Sequence, residues 1–593
     1  MIKTNKEKLL TLAAQGVVSP AQPIRPYATT WDGKPKMAIG TGGINYNLHI
    51  FDKVFGWASG DRATMGVSTE GLGEDPQKLG YLNNLSIGNE VKVLSGEAKG
   101  DKGLVSGKFG TYVLIHFEED TLSKLSLGDT IHVKALGVGL KIEGYDDVAV
   151  HSIAPEILEK IDIREVDGKL EVPVTKIIPE EIVGQGSGLS SLSGNWHIQT
   201  CYPPDILDNG LDELRYGDLV LLENFQTDYG KGYYIGGATI AVVCSGPSDI
   251  SGLGIGVTPI LSTRFKRITG RIDREANIGK YLDIKKKTHE ATSDNGEGVF
   301  RTNKDKLITI AVQGVVQPFS SRGYSTTYDG KPKLSIGMAS INYTVSLGDP
   351  TYGWANADHV EPDVTIQGRD KPVPSECALA ILACIGNEAR VESGEAKGDK
   401  GYFIGRHAGS DDLVWFPKET LNKLTINDKI QVMARGVGLK IEGHEDIRVN
   451  KLSPELLENM GIEIEDGQLV VPVVMEVPGH IMGSGIGGSF LEPGDYDIQT
   501  TCPEVIEKFD LKKLRLGDIV AIRDHYDYWG RGRYKGAVTI GTVIHGFSDS
   551  AGHGPGVNPL LSALPGRIKT KIDPNANTAY YIGIRKKPET KLE

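Results

Sequence analysis

At 593 residues the chain exceeds what one hydrophobic core organises, so several domains are expected. With 39% hydrophobic and 24% charged residues and no apolar run of bilayer length, it reads as a soluble globular protein without a membrane partner. A formal net charge of −12 makes nucleic acid an unlikely partner, and five cysteines without a CxxC pair fit a reducing cytoplasm better than a disulfide framework.

The opening stretch MIKTNKEKLLTLAAQGVVSP places apolar residues after a basic start, as a secretory address does. Its counterpart TNKDKLITIAVQGVVQP recurs at Thr302–Pro318, so the stretch is expected to be structure. WDGKPK at Trp31–Lys36 returns as YDGKPK at Tyr328–Lys333. SGEAKGDKG at Ser95–Gly103 returns at Ser393–Gly401, GVGLKIEG at Gly137–Gly144 at Gly436–Gly443, and IQT at Ile198–Thr200 at Ile498–Thr500. A period of about 300 residues is far beyond solenoid repeats and marks tandem duplication of a whole unit.

Each copy divides into three expected regions. An N-terminal β region covers 1–88 and 299–386, a barrel region 89–150 and 387–450, and a C-terminal β region 151–286 and 451–593. The polar segment 287–298 is the expected linker. In GNEVKVLSGEAKGDKGLVSGKFGTYVLIHF two alternating apolar runs flank a glycine- and lysine-rich turn, a hairpin pattern. The hairpin resembles the KOW type of small SH3-like barrels in ribosomal and transcription proteins. Ala154-Pro155-Glu156 and Ser453-Pro454-Glu455 predict short helix starts, and PPDILD and PEVIEKF a second short helix after IQT. The expected fold is mainly β: a tandem duplication of a multi-domain β-barrel unit with KOW/SH3-like barrels and few short helices.

The two copies keep the same words but differ in imidazoles and carboxylates. His359 stands opposite Arg62, Glu361 opposite Thr64, His480 opposite Glu181, Asp497 opposite His197 and Asp524 opposite Asn224. His525 stands opposite Phe225, His545 opposite Ser245 and His553 opposite Leu253. Imidazole is the commonest transition-metal ligand and also a base poised near neutral pH. The predicted site therefore sits in the second copy, with His480, Asp497, Asp524, His525, His545 and His553 as ligands of a divalent ion, zinc or similar. Glu361 and His359 are the expected catalytic pair, and Lys331, Arg531 and Arg533 the expected holders of an anionic substrate end. Asp524 and His525 are adjacent, so both face one site only if a bulge re-aims one of them.

The words INY, GWA-x-x-D, SGEAKGDKG, GVGLKIEG and IQT, present in both copies, are similar to a microbial family described as domain of unknown function 4438. That resemblance implies a mixed β-barrel fold and no particular activity. From GGSFLEPGDYDIQT through KLRLGDIVAIRDHYDYWGRG to GAVTIGTV, the order of elements also resembles the acetamidase/formamidase family, with Gly494-Asp495-Tyr496-Asp497 and Asp524-His525 at two of its words. The QGDGE word of that family is replaced by Tyr528-Trp529-Gly530-Arg531-Gly532. The favoured expectation is a metal-dependent hydrolase of a small amide-like substrate, with the first copy as the non-catalytic half of a pseudo-dimer and further homo-oligomerisation open. The competing expectations are a binding scaffold that uses its barrels and a metal-free isomerase or lyase. Convergence of the second-copy histidines favours an enzyme; dispersal favours a scaffold.

Overall fold

Burial alternates along the strands as the hairpin pattern requires: in Glu90–Val93, Val91 and Val93 face inward and Lys92 faces solvent. The computed structural model describes residues 2–286, 300–319, 323–338, 340–488 and 494–587, the side chains of 24–26 excepted. The expected linker 287–298 lies outside the described residues. The chain forms two compact units that follow the two copies, except that Ile308–Ala311 falls in the first. The architecture is mainly β, with helices of at most ten residues among the described residues.

Each copy builds a closed six-stranded barrel. In the first the order is Leu12–Val18, Val67–Gly71, Tyr112–His116, Lys102–Phe109, Glu90–Val93 and Thr130–Ala135. Two of these strands come from the region expected to be separate and N-terminal. The middle region supplies only four strands, and closure, which leaves no open edge, recruits the others. The second copy repeats the order with Ile310–Val316, Val364–Gly368, Asp411–Trp415, Lys400–His407, Glu388–Val391 and Lys429–Ala434. The SGEAKGDKG words are turns: Ser95 donates to Asp129 at 3.0 Å and Ser393 to Asp428 at 2.9 Å. Those carboxylates bind the loop to the barrel, a structural role.

A second sheet follows the barrel in each copy. In the second copy its order is Arg448–Val449, Gly556–Ala563, Gly532–Val543, Ile519–Tyr526 and Met475–Pro478, and Tyr496–Asp497 also pairs with Gly556–Ala563. The expected helices form at Pro155–Lys160, Pro454–Asn459, Pro203–Asp208 and Pro503–Lys508. At Pro454–Asn459, Ser453 caps the first turn by accepting from the Leu456 amide at 3.1 Å.

The copies treat one buried cation differently. Arg406 of the second barrel pairs across strands with Asp412 at 2.5 Å, both buried. The matching register in the first barrel sets Lys108 against Val113. Lys108 is 3% exposed, and its Nζ has no hydrogen-bond partner among the described residues.

Candidate metal centre

The site lies in the second unit, where its barrel meets its second sheet. His407 ends strand Lys400–His407 and faces Asp411 in register. Asp497 pairs with Gly556. Asp495 is two residues before Asp497, the spacing that returns side chains to one face. His545 follows strand Gly532–Val543 directly. His359 and Glu361 come from the loop before Val364–Gly368, where the His359 amide donates to the Phe547 carbonyl at 3.0 Å. His359 is left-handed, with φ at 50°, and Arg62 in the first copy holds φ at 52° with its amide on the Pro247 carbonyl at 2.8 Å. The loop is thus a scaffold feature that both copies share, with or without the imidazole.

Two separate ligand triads result, and a third group, Glu361, His407 and Asp411, overlaps the second of them at His407. In one, His553 Nδ1 lies 2.8 Å from Asp497 Oδ2, and His359 Nε2 lies 3.1 Å from His553 Nδ1 and 3.6 Å from Asp497 Oδ2. In the other, His545 Nε2 lies 2.9 Å from Asp495 Oδ2 and 3.5 Å from Asp497 Oδ1, and the His407 and His545 ring centroids are 4.1 Å apart. The ligand atoms within each triad are mutually within 4.8 Å, a span that one ion can bridge. His545 Nε2 and Asp495 Oδ2 are both buried, and despite their 2.9 Å approach neither is aligned in a hydrogen bond. Two buried donor atoms this close fit a shared cation as well as a shared proton.

The rings are also oriented from behind. His359 Nδ1 faces Asp358 Oδ2 at 3.2 Å, and His407 Nδ1 faces Glu361 Oε1 at 2.5 Å. His545 Nδ1 donates to the Gly546 carbonyl at 2.9 Å. An acceptor on the far nitrogen fixes tautomer and orientation in metal-bound histidines. Asp358 is held in turn by Ser548 at 2.5 Å, and Glu361 by Thr365 at 2.6 Å. With both oxygens engaged, Glu361 orients His407 and is not available as the general base expected from the sequence.

Electrostatics match this arrangement. Burial works against charge on Asp497, yet contacts with His359, His545 and His553 hold its carboxyl well below the usual range. Burial likewise opposes protonation of His545, but Asp495 and Asp497 raise it well above an ordinary imidazole; burial also opposes protonation of His359, which Asp358 and Asp497 nonetheless raise. Asp411, half-buried beside His407, is pushed up to about 7 by burial and then by Glu361. Without an ion, protons on the imidazoles offset part of the carboxylate charge; divalent cations supply it in their place.

The first copy keeps this frame and loses the ligands. The Gly110 amide donates to Asn195 Oδ1 at 2.7 Å, as the Ala408 amide does to Asp495 Oδ1 at 2.9 Å. Ser248 holds Asp61 at 2.6 Å as Ser548 holds Asp358. In place of the triads stand Arg62, Phe109, Asn195, His197, Ser245 and Leu253. His197 packs edge-on against Phe109 with centroids 5.7 Å apart, and burial followed by Arg62 pushes it down to about 4. A neutral histidine against a phenylalanine offers no cation site.

Of the residues expected from the sequence, His359, Glu361, Asp497, His545 and His553 gather here, and the others lie elsewhere. His480 is exposed on the short turn Gly479–Ile481. Asp524 sits in a bulge with φ at 58° and accepts from the Gly536 amide at 2.6 Å, as Asn224 does from Gly236 at 2.7 Å. The bulge points Asp524 at its own turn. His525 is buried against Tyr496, with ring centroids 5.7 Å apart, and Tyr496 donates to Asp527 at 2.5 Å. Phe225, Trp196 and Thr227 fill the same places in the first copy, with Trp196 donating to Thr227 at 3.0 Å. His525 is therefore a core ring, and burial lowers its proton affinity. His525→Phe is expected to leave metal content unchanged and to shift stability by no more than about 1 kcal/mol, checked by metal analysis and thermal unfolding.

The three expected anion-holding cations are also displaced. Lys331 is exposed and pairs with Asp329 at 2.5 Å. Arg533 is exposed on its strand. Arg531 is buried and donates to the Gly494 carbonyl at 2.6 Å, a loop-holding role.

His407, Asp495, Asp411 and Asp358 complete the cluster and were not selected from the sequence. His407 and Asp411 flank a one-residue insertion that breaks the alignment of KFG-TY with RHAGSDD. The strand registers restore it, placing His407 with Phe109 and Asp411 with Tyr112. A further constraint is Gly556, where an added Cβ would lie 2.1 Å from both Asp495 Oδ2 and His545 Nε2. Gly556→Ala is expected to abolish metal uptake by forcing these ligands apart, read as loss of bound metal in a protein that still folds.

Models of the domain of unknown function DUF4438, N-terminal, match residues 27–159 and 324–458, and those of its C-terminal domain match 160–282 and 459–582. The curated proteins contain no match. A solved structure titled "Crystal structure of TM1086" is 43% identical over 47% of this chain and 98% of that one, with a TM-score of 0.45. No helix among the described residues is long and apolar enough to cross a membrane.

Proposed function

Because the chain belongs to the DUF4438 family, whose description carries no activity, we propose from the site itself that the second copy is a metal-dependent hydrolase of a small, polar, amide-like substrate. The observation that carries this reading is the convergence of four imidazoles with Asp495 and Asp497 in one copy, on a frame that the other copy keeps without them. Nitrogen and carboxylate donors without thiolate suit zinc, manganese, iron or cobalt. Such an ion lowers the pKa of a bound water toward neutrality and polarises a carbonyl.

The chain's own groups divide the remaining work. Asp358, Glu361 and the Gly546 carbonyl fix the imidazoles. His553, 36% exposed at its side chain, and the half-buried Asp411 form the edge that solvent and substrate reach. Asp411 is placed there to exchange a proton with the reacting water or leaving group. A pure scaffold gives no reason for this convergence.

Metal analysis of the purified chain, followed by an amide and ester hydrolysis screen with and without chelator, tests the proposal. Bound divalent metal is expected, with hydrolysis that chelation removes and metal restores. A protein that neither holds nor takes up a divalent ion ends this reading, and hydrolysis that survives complete chelation overturns its metal dependence.

A further inference from the structure

The two triads share no residue, yet they are joined through one. Asp497 turns Oδ2 toward His553 and His359, at 2.8 and 3.6 Å, and Oδ1 toward His545, at 3.5 Å. We infer that the centre is dinuclear and that Asp497 is the carboxylate bridging two divalent ions, one held by His359 and His553, the other by His407, His545 and Asp495. The inference rests on the metal-dependent reading above and deepens it.

Three observations support two ions rather than one. First, the ligand atoms include two groups that share no residue, each compact enough for one ion, and a third group, Glu361, His407 and Asp411, overlaps the second at His407. The groups adjoin: the His359 centroid is 5.1 Å from that of His545 and 5.5 Å from that of His407. Ions held by the two oxygens of one carboxylate lie about 3.5–4 Å apart, a separation that suits hydrolysis because both the attacking and the leaving oxygen are then stabilised. Second, each group has its own orienting carboxylate, Asp358 behind His359 and Glu361 behind His407. Third, Asp358, Glu361, Asp411, Asp495 and Asp497 gather up to five negative charges around the neutral imidazoles. One divalent ion leaves this buried set strongly anionic; two nearly neutralise it.

The test uses the full-length chain, stripped by chelation and reloaded with Mn2+. Bound manganese is counted after gel filtration, and electron paramagnetic resonance is recorded. The expected result is two equivalents per chain with the spectrum of an exchange-coupled pair. His553→Ala and His407→Ala are each expected to retain one equivalent and to lose the coupling. One equivalent in the wild-type chain overturns the dinuclear inference and leaves the metal-dependent reading standing, whereas none overturns both. Two equivalents without coupling overturn the Asp497 bridge, and two retained in both variants place the ions elsewhere and overturn the assignment. The wild-type count does not depend on how well either variant folds.

Discussion

Asp497→Ala is expected to weaken metal binding roughly 1000-fold, about 4 kcal/mol, a fair share of the roughly 10–16 kcal/mol that a four-ligand site supplies. The residue is 4% exposed, and three imidazoles surround it. Its removal takes a ligand atom from the triad it forms with His359 and His553 and leaves His359 and His545 without a carboxylate that balances them. Asp358→Asn, which touches only the far nitrogen of His359, is expected to cost about 10- to 100-fold. Titration of stripped protein with Zn2+ or Mn2+ against a competing chelator measures both. The ordering matters most: a loss for Asp358→Asn equal to or above that for Asp497→Ala would mean that Asp497 is no ligand.

Lys108→Met in the first copy is expected to stabilise the protein, by roughly 2–4 kcal/mol at pH 7. Burial, reinforced by Lys231, pushes the Lys108 amine down to about 7. Since the folded value lies below the unfolded value of about 10.4, the unfolded chain binds more protons between them. The penalty is complete below about pH 7 and disappears as pH rises through about 10, so this residue makes stability climb with pH across that window. Lys108→Met is expected to flatten the climb, seen as a smaller rise in unfolding temperature between pH 7 and pH 9.5. The second copy solves the same problem with Asp412, whose counterpart is Val113. Methionine fits because it fills the lysine's stem volume without a charge.

The duplication was plain in the sequence because words such as SGEAKGDKG recur intact, and the barrel hairpin was plain because burial alternates with period two. Barrel closure was not, since nothing local in Leu12–Val18 or Val67–Gly71 names the strands they pair with. Comparing the copies pointed to His359, Asp497, His545 and His553 as positions where chemistry differs. The same comparison also selected His525, because a histidine opposite a phenylalanine looks alike whether the ring ligates or merely packs. His407 opposite Phe109 is the version of that exchange that falls in a candidate ligand group, hidden by a one-residue insertion. Asp495 was overshadowed by its neighbour because Asn195 to Asp495 changes only charge, and what that charge faces is a matter of tertiary structure.

The frame shared by the two copies, with its left-handed loop at Arg62 and His359, the serine-held Asp61 and Asp358, and the amide-anchored Asn195 and Asp495, has a consequence for how the centre is loaded. One copy assembles this frame without a candidate ligand group among the described residues. On the proposed reading the second copy is therefore expected to form the same frame without an ion, which then enters a preformed site. Removing metal is then expected to silence the proposed activity without unfolding the chain, and resupply to restore it.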